Sequence, residues 1–134
     1  PDMALFKFTK NILSNNAIEL FNNGIHVRDF TYIDDIVDGI YSLIKKNSKK
    51  SKFFEIFNIG NGSPKKLMDY IKEIEKNLKI SANIKKLPLQ KGDIIKTHSD
   101  LSKLKKYTNY NPKTNIEAGI AKFIEWYKDY YKEI

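Results

Sequence analysis

Ile33, Ile36, Val37, Ile40 and Ile44 recur at steps of three and four residues. That spacing gathers one apolar stripe along one face of a helix. A helix of this kind is not stable by itself. Its stripe must be buried against a second layer of structure. Two later segments repeat the pattern, Leu67, Ile71, Ile74 and Leu78, then Ile116, Ile120, Phe123, Ile124 and Tyr127. Leu5, Phe8, Ile12 and Leu13 predict a further helix over about 3–15, with Asp2 as its N-cap. Between these helices lie short runs of β-formers. "AIELF" reads as a strand, "NNG" at 22–24 as a turn and "IHVRDF" as resumed extended chain. "FFEIFNIG" at 53–60 is rich in aromatic and β-branched residues and predicts a buried strand. "ANIKKLPL" predicts an edge strand, because Pro88 lacks an amide donor. "LQKGDIIKTH" is irregular, a short helix near 100–106 carries Leu101 and Leu104, and Pro112 closes the turn "YTNYNP". Helices packed with a few short strands make this an α/β chain, and its 134 residues suffice for one domain.

Helix starts are marked by polar residues. Thr31 and Asp34 have the spacing of a capping box, with aspartate in place of glutamate. Asp34 and Asp35 also sit where the positive end of the helix dipole favours anions. With no further acid or histidine nearby, this pair reads as a cap rather than as metal ligands or an acid/base couple. Ser63 and Pro64 predict the start of the next helix, and Thr114 with Glu117 the start of the last.

The net charge of +8 raises the possibility of a nucleic-acid partner. The densest basic run, "KKNSKKSK" at 45–52, has no interleaved aromatic on which a base could stack and reads as a solvated linker. No nucleic-acid partner is expected. No apolar run approaches the roughly 18 residues that span a bilayer, so no membrane partner is expected either. Cysteine is absent, which excludes disulfides and thiolate metal sites and fits a reducing compartment. The chain opens Pro-Asp-Met, and we expect it to be a piece of something longer.

Three motifs suggest chemistry and do not carry it. Gly60-x-Gly62 between a predicted strand and helix is half of a dinucleotide fingerprint, without the third glycine or a following acid. Tyr41 and Lys45 have the spacing of a catalytic tyrosine and lysine, but they lie mid-helix beside the lysine linker. His26 and His98 lack metal-ligand spacing and read as ordinary polar positions; no metal site is expected. Arg28 stands apart from these, because the other 23 basic residues are all lysine.

The stretches "PDMALFKFTK", "IELFNNGIHVRDFTYIDDIVDGI", "FNIGNGSP", "LMDYIKEIEKNL", "LPLQKGD" and "GIAKFIEWYKDYY" occur in one order. Together they resemble the C-terminal part of the extended short-chain dehydrogenase/reductase family. The likeness is strongest to NAD-dependent nucleotide-sugar epimerases of the UDP-glucuronate 4-epimerase type, and it runs from Pro1 to Tyr131. The resemblance implies that the glycine-rich NAD loop and the catalytic Tyr-x-x-x-Lys lie in a preceding half, so no catalytic residue is expected in this chain. It implies that residues 1–134 hold the UDP end of a UDP-sugar. The chemistry implied for the intact protein is removal of hydride from sugar C4 to NAD, turning over of the 4-keto sugar, and return of hydride to its other face. Segments about 30–60 would then pack on the cofactor domain, the N-terminal half of the same protein. The isolated chain would self-associate or be marginally stable. An intact homodimer, a cytoplasmic location and a place in polysaccharide biosynthesis are further implications.

Arg28 matches the family arginine that binds the pyrophosphate. The physical chemistry agrees, since a planar guanidinium makes bidentate bonds to phosphate oxygens that an ammonium cannot reproduce. A structural pairing with Asp29 or Asp34 is the alternative, and strand alternation disfavours Asp29. Phe21 matches the position lining the uracil pocket, with Glu19 and Leu20 flanking it, although a core phenylalanine is equally in keeping with the pattern. Asp93 matches the acid that bonds the ribose hydroxyls, or else is a solvated turn aspartate. Gln90 stands where galactose-type epimerases carry a second phosphate arginine and glucuronate-type members share the glutamine. Lys91 and Ile95 replace prolines usual in the family. A 4,6-dehydratase or decarboxylase on the same scaffold, or a non-catalytic binding module, remains open at this point.

Overall fold

The computed structural model describes residues 3–46 and 54–132. In chain order these form α1 (Ala4–Leu13), β1 (Ile18–Leu20), a 3-10 turn (Phe21–Gly24), β2 (Val27–Arg28), α2 (Ile33–Lys46), β3 (Lys65–Lys66), α3 (Leu67–Leu78), β4 (Ile84–Lys86), α4 (Ser102–Thr108) and α5 (Ile116–Tyr131). The α/β class read from the sequence holds. β1 runs parallel to β4, with Ile18 opposite Ile84 and Leu20 opposite Lys86. β2 runs antiparallel to β3, with Arg28 opposite Lys65.

The main core forms where the stripes of α1, α3 and α5 meet β1. Ile12, Ile18, Leu20, Ile71, Ile74, Leu78, Ile120 and Ile124 are buried together there. Phe30 stacks on Tyr70 at 3.9 Å between ring centroids, which pins the chain following β2 to α3. A second, smaller core joins Leu101, Leu104 and Tyr110 to Leu43, Phe57 and Ile59. Gly39 explains how α2 reaches it. A β-carbon at this position would lie 3.1 Å from Ile59 and 3.2 Å from the Tyr110 ring.

The Tyr110 hydroxyl donates to the carbonyl of Gly60 at 2.9 Å. Burial, with lesser contributions from Asp35, Asp29 and Asp38, pushes this hydroxyl up to about 12, so it stays a neutral donor. Tyr110→Phe is expected to cost about 1 kcal/mol, the net worth of one such bond, read as a lower urea midpoint. An unchanged midpoint would mean that water replaces the bond without loss.

Several expectations are corrected. Residues 54–59 are not in a strand, and Phe54 is 80% exposed. A strand needs a neighbour to complete its ladder, and none pairs with this segment among the described residues. No correction attaches to α2, whose stripe is largely open, with Ile33 61% and Ile44 66% exposed, while Asp35 and Gly39 on the same helix are buried. α3 begins at Leu67 rather than beside Ser63 and Pro64, because pairing with β2 holds Lys65 and Lys66 extended. The last helix is capped by Asn115, whose side chain accepts from the amide of Ala118 at 2.8 Å, and not by Thr114. The extended Met3 occupies the N-cap position of α1. The predicted cap Asp2 and residues 47–53, including most of the lysine linker, lie outside the described residues.

Candidate anion-binding site

β2 is a two-residue strand held from both sides. β3 pairs with it on one edge. On the other, the amide of Val27 donates to Ile95 O at 3.0 Å and the amide of Thr97 donates to Val27 O at 3.1 Å. This fixes the backbone that carries Arg28. The side chain is fixed as well. Nη1 donates to Val27 O at 3.1 Å and to Ile95 O at 3.0 Å, and Nη2 donates to Asp93 Oδ1 at 3.1 Å. Three of the five guanidinium donors are thus in use, which leaves two for a ligand. The Arg28 side chain is 26% exposed, and Arg28 also lines a cavity of about 520 Å³ whose walls include Leu5, Phe30, Tyr70, Ile120 and Phe123.

The partner of Arg28 is therefore Asp93, and neither Asp29 nor Asp34. Asp93 closes a turn in which its amide donates to Gln90 O at 3.1 Å, and Gln90 itself is exposed. The remaining predicted residues lie at the adjoining ends of β1 and β4. Leu87 donates its amide to Leu20 O at 2.9 Å, and Asn23 donates its amide to Leu87 O at 3.0 Å. These bonds seat the 3-10 turn beside the chain that leads on to Gln90 and Asp93. The Leu20 side chain belongs to the core. Glu19 pairs with Lys85 at 3.0 Å. Phe21 opens the 3-10 turn with a half-buried side chain. Of the predicted side chains, Arg28 and Asp93 are joined by a hydrogen-bonded ion pair.

Two aspartates hold this region together, Asp29, which the motifs did not single out as a site residue, and Asp35, which they read as part of a helix cap. Asp29 Oδ2 accepts from the amides of Gly62 at 3.0 Å and Ser99 at 2.9 Å, and Oδ1 accepts from the amide of Ser63 at 3.3 Å. Asp35 accepts from the amides of Lys113 at 2.9 Å and Thr114 at 3.0 Å, tying α2 to the approach to α5. The Asp34–Asp35 pair is structural, as read, but not through the expected capping box. The Thr31 hydroxyl donates to Asp29 O, and Asp34 faces Lys122 at 3.8 Å.

The Gly60-x-Gly62 turn does bind an anion, and that anion is the carboxylate of Asp29. A β-carbon on Gly60 would collide with Ser99 Oγ, so this glycine serves close packing inside the chain. The turn therefore does not fit a dinucleotide phosphate. Tyr41 and Lys45 form a cation–π pair on exposed α2 at 4.4 Å. His26, read as an ordinary polar residue, is only 3% exposed. Among the described residues, no three His, Asp or Glu side chains cluster to hold a metal ion, and no helix is long and apolar enough to cross a membrane.

Residues 1–60 match the model of the NAD dependent epimerase/dehydratase family. An uncharacterized protein of Methanocaldococcus jannaschii is 51% identical over 127 residues, covering 95% of this chain and 38% of its own length. UDP-glucuronate 4-epimerase 2 of Arabidopsis thaliana is 39% identical over 147 residues, covering 99% of this chain and 34% of its own length. The crystal structure of UDP-glucuronic acid 4-epimerase from Bacillus cereus, in complex with UDP-glucuronic acid and NAD, superposes with a TM-score of 0.88. It is 30% identical and covers 98% of this chain and 41% of that one. The chain thus spans about two fifths or less of the length of these relatives. Its fold is that of the C-terminal part of an extended short-chain dehydrogenase/reductase of the epimerase and dehydratase kind. Within that class it resembles the UDP-glucuronate 4-epimerases.

Proposed function

We propose that residues 1–134 are the UDP-sugar-binding C-terminal region of an NAD-dependent UDP-sugar 4-epimerase, with UDP-glucuronate as the sugar nucleotide. The observation that carries this reading is the state of Arg28. Its guanidinium is oriented by two backbone carbonyls and one carboxylate, with two donors left over. That is a preorganised fork for a pyrophosphate, and preorganisation lowers the ordering cost of binding. The likeness to an enzyme crystallised with UDP-glucuronic acid and NAD supports the choice of ligand.

In this reading Arg28 binds the pyrophosphate and Gln90 lies beside it. Asp93 accepts from the ribose hydroxyls, the Phe21 ring lines the uracil pocket, and backbone groups at Glu19 and Leu20 read the base edge. NAD, when bound, supplies hydride removal and return at sugar C4. It is held mainly outside residues 1–134, since the Gly60–Gly62 turn is already taken by Asp29. The open stripe of α2 and the segment 54–60 then pack on the cofactor domain. The whole protein is a cytoplasmic homodimer that serves polysaccharide biosynthesis.

The test is Arg28→Lys in the whole protein. An ammonium cannot reproduce the bidentate geometry, so the affinity for UDP is expected to fall by about 1–3 kcal/mol, with folding nearly intact. Titration calorimetry reads the affinity, and chromatography of the UDP-sugar products reads C4 inversion of UDP-glucuronate. Unchanged affinity would remove Arg28 from the site.

A further inference from the structure

His26 and Arg28 are two residues apart on the extended segment that contains β2, so their side chains share a face. Both face one carboxylate. Asp93 Oδ1 lies 3.1 Å from Arg28 Nη2, and Asp93 Oδ2 lies 3.2 Å from His26 Nε2. The histidine side chain is only 4% exposed. Its backbone is anchored, because the amide of Leu67 donates to His26 O at 2.8 Å. Yet Nε2 makes no hydrogen bond, although it lies 3.2 Å from Asp93 Oδ2. A buried ring nitrogen without a formed hydrogen bond is rare and costly. Asp93 Oδ2 is the acceptor within reach of this nitrogen.

We propose that His26 is a positioning residue that takes over Asp93 when an anion occupies Arg28. The proposal rests on the reading of Arg28 as a phosphate ligand. A phosphate approaching Nη2 meets the negative charge of Asp93, and like charges at this range disfavour binding. A carboxylate that shifts onto His26 Nε2 frees Nη2 and moves that charge away from the incoming phosphate. The same shift gives His26 Nε2 the hydrogen bond that it lacks. Without His26, Asp93 stays on Arg28 and competes with the ligand.

A double-mutant cycle in the whole protein tests this, with UDP as the probe and calorimetry as the readout. His26→Leu removes the donor and is expected to weaken UDP binding about tenfold, the scale of one charged hydrogen bond. His26→Gln keeps an amide donor and is expected to stay within about threefold of the parent. In an Asp93→Asn background, His26→Leu is expected to change nothing further, because the competing charge is gone. If the leucine variant does not fold, His26→Asn replaces it with the same expectation, since its shorter amide does not reach Asp93. An equal loss in both backgrounds would make His26 merely structural and overturn the proposal. So would an unaltered affinity in His26→Leu while Arg28→Lys weakens UDP, which leaves the site reading intact. If Arg28→Lys itself has no effect, the site reading fails and this proposal fails with it.

Discussion

Asp29→Ala is expected to destabilise the protein by about 3 kcal/mol, the largest single loss that we predict for a polar side chain here. The carboxylate accepts from three amides, those of Gly62, Ser63 and Ser99, which come from two loops far apart in sequence. An alanine leaves all three without that acceptor. Bonds to a charged acceptor are worth about 1.5–3 kcal/mol each. The partly exposed setting lets water recover some of that sum, so the losses do not add in full. The effect should also be local. The amide of Asp29 donates to Thr97 Oγ1, and Thr97 bonds Val27 O, which orients Arg28. Denaturant unfolding reads the global loss, and amide exchange at Gly62, Ser63 and Ser99 reads the local one. Parent-like exchange at these amides would show that the loops hold their shape without the carboxylate.

The contrast between what the residues disclosed and what they concealed follows the range of the interactions. α1, α3 and α5 are legible because their apolar stripes are local patterns, and the core they form buries those stripes. β1 and β4 are legible for a similar reason. The corrections arise where a distant partner decides. Ser63 and Pro64 are a sound helix start by local rules, yet pairing of Lys65 with Arg28 keeps that stretch extended. Thr114 has capping-box spacing, but its own amide is taken by Asp35, and Asn115 caps instead. Residues 54–59 have strand composition and find no ladder. At the site, the singular arginine was conspicuous in a lysine-rich chain. That Asp93 would be its partner was not, since 65 residues separate them. His26 gave no signal beyond its place two residues before Arg28 on an extended segment. Asp29 gave an indirect one. A glycine turn that offers amides needs an anion, and the acid after Arg28 supplies it.

The open stripe of α2 sets up the second large effect. Ile33, Val37, Ile40 and Ile44 lie exposed on one helix, and Phe54 and Ile56 are exposed on the segment that follows the linker. Aliphatic side chains grouped in this way at a surface favour association, because burying each contributes about 1.5–3 kcal/mol. Residues 1–134 produced alone are therefore expected to self-associate. Val37→Glu with Ile40→Glu is expected to return them to a monomer, since two carboxylates at the centre of the stripe oppose its burial. The same pair of substitutions should act in the opposite sense in the whole protein. If the cofactor domain covers α2, two buried charges there cost about 5 kcal/mol or more and uncouple the two parts. Sedimentation velocity reads the first effect. Thermal melting, together with the change in UDP affinity on adding NAD, reads the second. A monomeric parent fragment with a sharp melt would mean that the stripe needs no cover. A whole protein indifferent to both glutamates would mean that the cofactor domain packs elsewhere.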